Sequence, residues 1–294
     1  NGFRLSTFVG SRRISFGNLE VNTTGGTNRQ VTTASNIGFN GNVTIEPSSE
    51  VVFGTSYVAG NIVNNGTFTS TAVLGLASYT DGTVSATTNA QTIGGSGVYR
   101  NLAAAPTANL TSLTVNNTNA TGVTLSVPLS VSGTLTMTSG IINTTTTNLL
   151  TLGTATAAGI LAGTPSATNM VRGPFARTIS NGNANTNYLL FPVGKVAYAP
   201  VWAAPATTAA TVMKAETFDT NTGTQSAAIA NMATNRRWEL PLISGTINDI
   251  NVRLGDAGIL TTSIPVQAPS ASGLYTSTFG SVATAVAGVS TQST

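Results

Sequence analysis

The stretch GVTLSVPLSVSGTLTMTSG (122–140) decides the fold. In Val123, Leu125, Val127, Leu129 and Val131 the apolar residues stand at every second position, and after Ser132–Gly133 the beat resumes at Leu135 and Met137. A period of two turns one side of the chain toward a core and the other toward water, which describes a half-buried strand and not a helix. The Ser-Gly pairs at 132–133 and 139–140 cut the run into short pieces. The same alternation recurs in NVTIEP (42–47) and SLTVNN (112–117), and further turns fall at NNG (64–66), DG (81–82) and GGSG (94–97). No stretch carries a helical period.

The ladder is also repeated. Leu19 and Val21 match Leu113 and Val115 at an offset of 94, while Ile37, Phe39, Gly41, Val43 and Ile45 match Leu129, Val131, Gly133, Leu135 and Met137 at an offset of 92. TFVGS (7–11) resembles TIGGS (92–96) and leads into the first pair. Each copy is too one-sided to enclose its own core, so copies must stack into a common one. Residues 1–170 are therefore expected to form an all-β solenoid, a right-handed parallel β-helix with inward Val, Leu and Ile and outward Thr, Ser and Asn. An array of β-sandwiches also satisfies the pattern.

Composition narrows the function. Charged residues make up 7% of the 294 and hydrophobic ones 40%, whereas disordered chains combine low hydrophobicity with high net charge. The net charge of +3 reflects scarcity: no charged residue occurs between Arg100 and Arg172. Nucleic-acid binding needs a dense basic footprint, which is missing. No apolar run approaches the ~20 residues of a membrane-spanning helix, and 196–213, the most apolar stretch, is broken by Pro200 and Pro205. The chain begins at Asn1 with no signal-peptide pattern and reads as a processed or partial secreted protein.

The texture changes near Met170. Between Arg172 and Asp256 lie 12 of the 21 charged residues and both tryptophans. NYLLFPV (187–193), VMKAETF (212–218), RRWELPL (236–242) and INDINVRLG (247–255) read as longer strands at wide turn spacing, so 171–294 is expected to form an antiparallel β-sandwich-like domain.

Residues 112–154, followed by VRGPFART (171–178), NYLLFPVGKVAYAPV (187–201) and NRRWEL (235–240), resemble large secreted surface proteins of Bacteroidota that leave the cell through the type IX secretion system. The resemblance is carried by Leu150, Leu152 and Gly153, by Val171, Gly173, Pro174 and Arg177, and by Phe191 to Lys195. It implies export, an extracellular or cell-surface location and a repetitive, adhesin-like or structural role, and it supplies no catalytic residue. The C-terminal sorting domain such proteins bear is not recognisable before Thr294.

Chemistry is sparse. Without His or Cys, triads and zinc sites have no ligands to draw on, and no EF-hand or nonapeptide calcium spacing occurs. Gly194–Lys195 is followed by Val196 and lacks the Ser or Thr of a phosphate loop. The pairs Glu46/Glu50, Glu216/Asp219 and Asp249/Asp256 read as solvated turn charges or partners of Arg236, Arg237 and Arg253 rather than as glycosidase carboxylates, so no catalytic residue, cofactor or metal is expected. Tyr188, Tyr198, Trp202 and Trp238 are the candidate glycan contacts, against a plain role in packing a core. The sequence thus points to a non-enzymatic surface protein, an adhesin stalk or a self-assembling fibre subunit, with a carbohydrate-binding module as the alternative. Its partners would be further copies of itself, other surface proteins or glycans. The tail SVATAVAGVS (281–290) reads as a spare apolar strand available for exchange between copies.

Overall fold

The structure, a computed structural model, describes residues 3–5, 14–22, 30–33, 36–102, 108–229, 232, 235–259, 263, 265–278, 281–286 and 289–293. The described residues are all-β, without a helix, and no helix among them is long and apolar enough to cross a membrane. The chain divides into two compact units, one of residues 1–154 and 158–169, the other of 155–157 and 170–294.

In the first unit the strands are short and pair in parallel into long sheets. From Gln30 onward the chain visits three sheets in rotation. Gln30–Thr33, Glu50–Phe53, Thr67–Ser70 and Val98–Asn101 belong to the first sheet; Ile37–Phe39, Ser56–Val58, Val73–Leu76, Ser112–Asn116 and Thr134–Ser139 to the second; Val43–Ile45, Ile62–Asn64, Gln91–Gly94 and Val123–Leu125 to the third. Leu129–Val131 and Leu150–Leu152 pair in parallel alongside. At several inward positions successive passages set apolar residues over one another. In the second sheet Phe39, Val58, Leu76, Val115 and Met137 are register partners in succession, all fully buried. In the third, Val43, Ile62, Ile93 and Leu125 do the same. An inner line of rings, Phe16–Phe39–Phe53–Phe68–Tyr99, has centroid separations of 5.9, 5.4, 5.0 and 5.4 Å, within the range where aromatic pairs add to plain burial.

The polar groups at the bends are matched by neutral hydrogen bonds. Asn18, Asn42 and Asn61 each precede a strand of the third sheet, and each offers its side-chain Oδ1 to the next passage: Asn18 accepts from the Asn42 N–H at 2.7 Å, Asn42 from the Asn61 N–H at 2.8 Å, and Asn61 from the Thr92 N–H at 2.8 Å. Where the chain leaves this regular course, after Leu76, a buried clamp takes over. Gln91 Nε2 donates to the carbonyls of Val58 and Gly60, and Asn117 Nδ2 donates to the Asn89 carbonyl and to Gln91 Oε1.

The departure itself is a hairpin, Ser78–Thr80 paired antiparallel with Thr83–Ser85 across Asp81–Gly82. Both turn residues have positive φ, 49° and 87°, as a two-residue hairpin turn requires. Tyr79 lies against Gly38, where an added Cβ would meet the Tyr79 Cβ at 2.5 Å, and its ring stacks on Tyr57 at 5.0 Å. Asn40 holds the hairpin by donating to the Tyr79 carbonyl and accepting its N–H.

The register departs from the 92–94-residue repeat. Ile37 pairs with Ser56 and Ser56 with Leu74, steps of 19 and 18 residues, while Leu74 pairs with Leu113. Leu19 and Val21 lie in the third sheet but Leu113 and Val115 in the second, and Val43 and Ile45 lie in the third but Leu135 and Met137 in the second. All three sheets use the same inward-outward alternation, so a likeness of pattern does not specify the sheet. TFVGS (7–11) lies outside the described residues.

In the second unit antiparallel pairing dominates. Phe175–Ile179, Thr211–Phe218 and Arg237–Glu239 form one sheet, with Leu242–Ser244 also on Thr211–Phe218. Leu189–Phe191, Val201–Ala206, Asp249–Gly255, Val289–Ser293 and Ser281–Val286 form another. Phe175 from one sheet meets Phe191 from the other edge-on at 6.2 Å, both fully buried. The tail read as a spare strand is not spare: Ser281–Val286 pairs with Val289–Ser293, which pairs with Asp249–Gly255.

Candidate functional site

In the first unit one surface concavity, about 470 Å³, sits at the bend between the third and first sheets. It is lined by Ser49, Glu50, Asn65, Thr67, Ser96 and Val98, together with Ser48, Gly66 and Gly97. The glycines create it: a Cβ on Gly97 would run into the Gly66 carbonyl, and one on Gly66 into the Ser49 carbonyl, so successive passages close to backbone contact and leave a trough where side chains would stand. At its rim Glu50 Oε1 accepts from Thr69 at 2.9 Å and from Arg100 at 2.7 Å. Burial disfavours the Glu50 charge, but hydrogen bonds from Arg100, Thr69 and Gln30 and the charge of Arg100 outweigh it and hold the carboxyl below its usual 4.5. The trough is rich in hydroxyls.

The charges of the second unit are largely spent on one another. Lys195 Nζ lies 2.6 Å from Glu216, Arg236 lies 2.9 Å from Asp219 and 3.3 Å from Asp256, and Arg237 lies 3.1 Å from Glu239. Phe218 is covered by Arg237, 3.9 Å from the ring centroid, with Lys195 at 5.4 Å. Arg177 is buried and donates to the Leu190 carbonyl at 2.7 Å, and burial lowers its pKa to about 10. Glu216 and Asp219 are thus held by different cations, and Asp256 shares Arg236 with Asp219. Asp249 accepts from Asn185 Nδ2 at 2.6 Å. Among the described residues no group of three or more acidic side chains could hold a metal ion.

The four aromatics fall into two places. Trp238 donates from Nε1 to the Ala199 carbonyl at 3.0 Å, beside Tyr198 in the chain, and burial raises the Tyr198 pKa to about 12. These two are tied into the packing around the Lys195 turn. Tyr188 and Trp202 are brought together elsewhere, on one face of the Leu189–Phe191/Val201–Ala206/Asp249–Gly255 sheet. Leu190 is the cross-strand partner of Trp202, Trp202 that of Arg253, and the Arg253 guanidinium stacks 3.7 Å over the Tyr188 ring. Both rings are half-buried.

Arg253 departs from its expected place in an ion pair. Neither Asp249 nor Asp256 pairs with it; it has no hydrogen bond or ion pair among the described residues, and its Nε is buried without an acceptor. The sequence held a signal for this: Arg253 sits at an alternate position of a strand, on the face opposite Val252, and only side-chain reach across the sheet decides its partner. No family model matches the chain, and neither any curated protein nor any solved structure is similar to it.

Proposed function

We propose that the chain is an extracellular structural protein of a bacterial surface, a stalk or fibre subunit without enzymatic activity, exported by the type IX route that its sequence resemblance implies. In this reading the first unit is a right-handed parallel β-helix and the second a β-sandwich-like domain. The rotation of strands through three parallel sheets supports the former, and the meeting of Phe175 and Phe191 from two antiparallel sheets supports the latter.

The observation that carries the reading is the Asn18–Asn42–Asn61 ladder beside the line of stacked rings. Along this ladder each passage presents an acceptor to the next through a neutral group. Such an arrangement extends in one dimension and depends little on pH or salt, which suits a load-bearing element outside the cell. The candidate partner is a second copy stacked end to end. Exchange of the 281–290 segment is the less economical route, because its pairing with Asp249–Gly255 would first have to open.

Electron microscopy and sedimentation of the purified chain over a wide concentration range test the fibre form: filaments or a concentration-dependent ladder of oligomers are expected, and a monomer throughout would refute it. Surface labelling of intact cells tests the location. Cleavage of a polysaccharide that vanishes on removing one carboxylate would overturn the non-enzymatic assignment.

A further inference from the structure

We propose that Tyr188, Trp202 and Arg253 form a binding site for a carboxylated sugar ring of an acidic polysaccharide. This activity is additional to the structural role and does not depend on it.

Three observations support it. The first is commitment: Arg100, Arg236, Arg237 and Lys195 each sit within 3.3 Å of a carboxylate oxygen, whereas Arg253 has no such partner among the described residues. The second is fixation. A long cationic side chain left alone on a surface normally waves in solvent, but the guanidinium of Arg253 is held 3.7 Å from the Tyr188 ring with its Nε already buried and unsatisfied. The desolvation cost of that nitrogen is therefore incurred before any ligand arrives, and little further entropy is lost on binding. The third is the neighbour. Trp202 is the cross-strand partner of Arg253 and packs toward Gly255, where an added Cβ would meet its Cζ3 at 3.1 Å.

The chemistry of the ligand follows from the pair. The half-buried indole, set on the same face as Arg253, offers a flat apolar surface of the kind that suits the C–H face of a pyranose ring. A planar guanidinium fork recognises a carboxylate with two parallel hydrogen bonds better than it recognises a hydroxyl. A neutral sugar would use the platform and leave the fork unpaired; a small organic acid would use the fork and leave the platform bare. A uronic acid uses both.

Titration calorimetry of the full chain with trigalacturonate, maltotriose and a sulfated oligosaccharide tests this. Trigalacturonate is expected to bind at least tenfold more tightly than maltotriose. Arg253→Gln should lose about tenfold or more, as removal of a charge-assisted hydrogen bond does, and Trp202→Ala should weaken binding as well. Arg253→Lys keeps the charge but not the fork and should fall between, so it carries the test if Arg253→Gln does not fold. Lys214→Gln removes one positive charge from a different sheet and should change nothing. The proposal is overturned if trigalacturonate does not bind, if maltotriose binds equally well, if the sulfated sugar is preferred, or if Lys214→Gln costs as much as Arg253→Gln.

Discussion

Replacing Asn117 by alanine should be among the costliest single changes in the first unit. The side chain is fully buried. It donates to the Asn89 carbonyl at 2.9 Å and to Gln91 Oε1 at 2.8 Å, and accepts from the Asn119 N–H at 2.8 Å. Truncation strands Gln91 Oε1 in a dry interior at about 1–3 kcal/mol and forfeits two further bonds at about 0.5–1.5 kcal/mol each. A loss near 4 kcal/mol is thus expected, and at about 2–4 °C per kcal/mol for a unit of this size the melting temperature should fall by about 8–16 °C. Far-UV circular dichroism on heating, with urea titration as a second measure, reads this directly. Asn42→Ala is the internal control. Its Oδ1 accepts one N–H at an exposed bend, where water replaces it, and the expected cost is about 0.5 kcal/mol. If Asn117→Ala costs less than about 1 kcal/mol, the size of an ordinary hydrogen bond, the clamp does not act as argued. The Asn117→Ala/Gln91→Ala double mutant should cost clearly less than the sum of the two single changes, because both remove the same buried hydrogen bond.

Gly97→Ala drives a methyl into the Gly66 backbone and should destabilise by about 1–3 kcal/mol, measured by the same melts. Arg236→Ala leaves the partly buried Asp219 and Asp256 without their shared cation; a loss of about 1–3 kcal/mol is expected, and calorimetry should locate it in the transition of the second unit alone. Glu50, whose folded pKa lies below 4.5, contributes stability that is present above 4.5 and lost as pH falls through the folded value, so Glu50→Gln should flatten the acid limb of the stability profile. Tyr198 behaves in the opposite sense: burial moves its pKa from 10 to about 12, so its contribution is complete below pH 10 and lost as pH rises toward 12. Tyr198→Phe should abolish that alkaline loss.

Local alternation was enough to find the strands. Val43–Ile45, Ser112–Asn116, Val123–Leu125 and Thr134–Ser139 all lie where period two placed them; the turns at 81–82 and 132–133 fall between strands, and those at 64–66, 94–97 and 139–140 each begin on the last residue of one. Stacking order was not legible, because a strand of one sheet and a strand of another obey the same inward-outward rule, and the step between register partners ranges from 17 residues at Glu50–Thr67 to 39 at Leu74–Leu113. The asparagine ladder leaves a faint trace, an Asn directly before the apolar residue in Asn18–Leu19, Asn42–Val43 and Asn61–Ile62, but its unequal spacing hides it from any search at fixed period. The seat of Tyr79 on Gly38 depends on residues 41 apart in sequence and on a missing Cβ. In the second unit the aromatics stood out by type, but their division into Trp238 with Tyr198 and Trp202 with Tyr188 follows from register alone.

The hairpin at 78–85 marks a place where the chain tolerates extra length. Between Leu76 and Gln91 the chain leaves its course, builds a flap and returns in register, so the sheets do not read the length of what lies between. Closing a longer excursion costs only about 0.6 kcal/mol for each doubling of its length. A foreign segment grafted between Asp81 and Gly82 is therefore invisible to the buried ladders. Length and sequence at this turn are thus uncoupled from the sheets on either side of it.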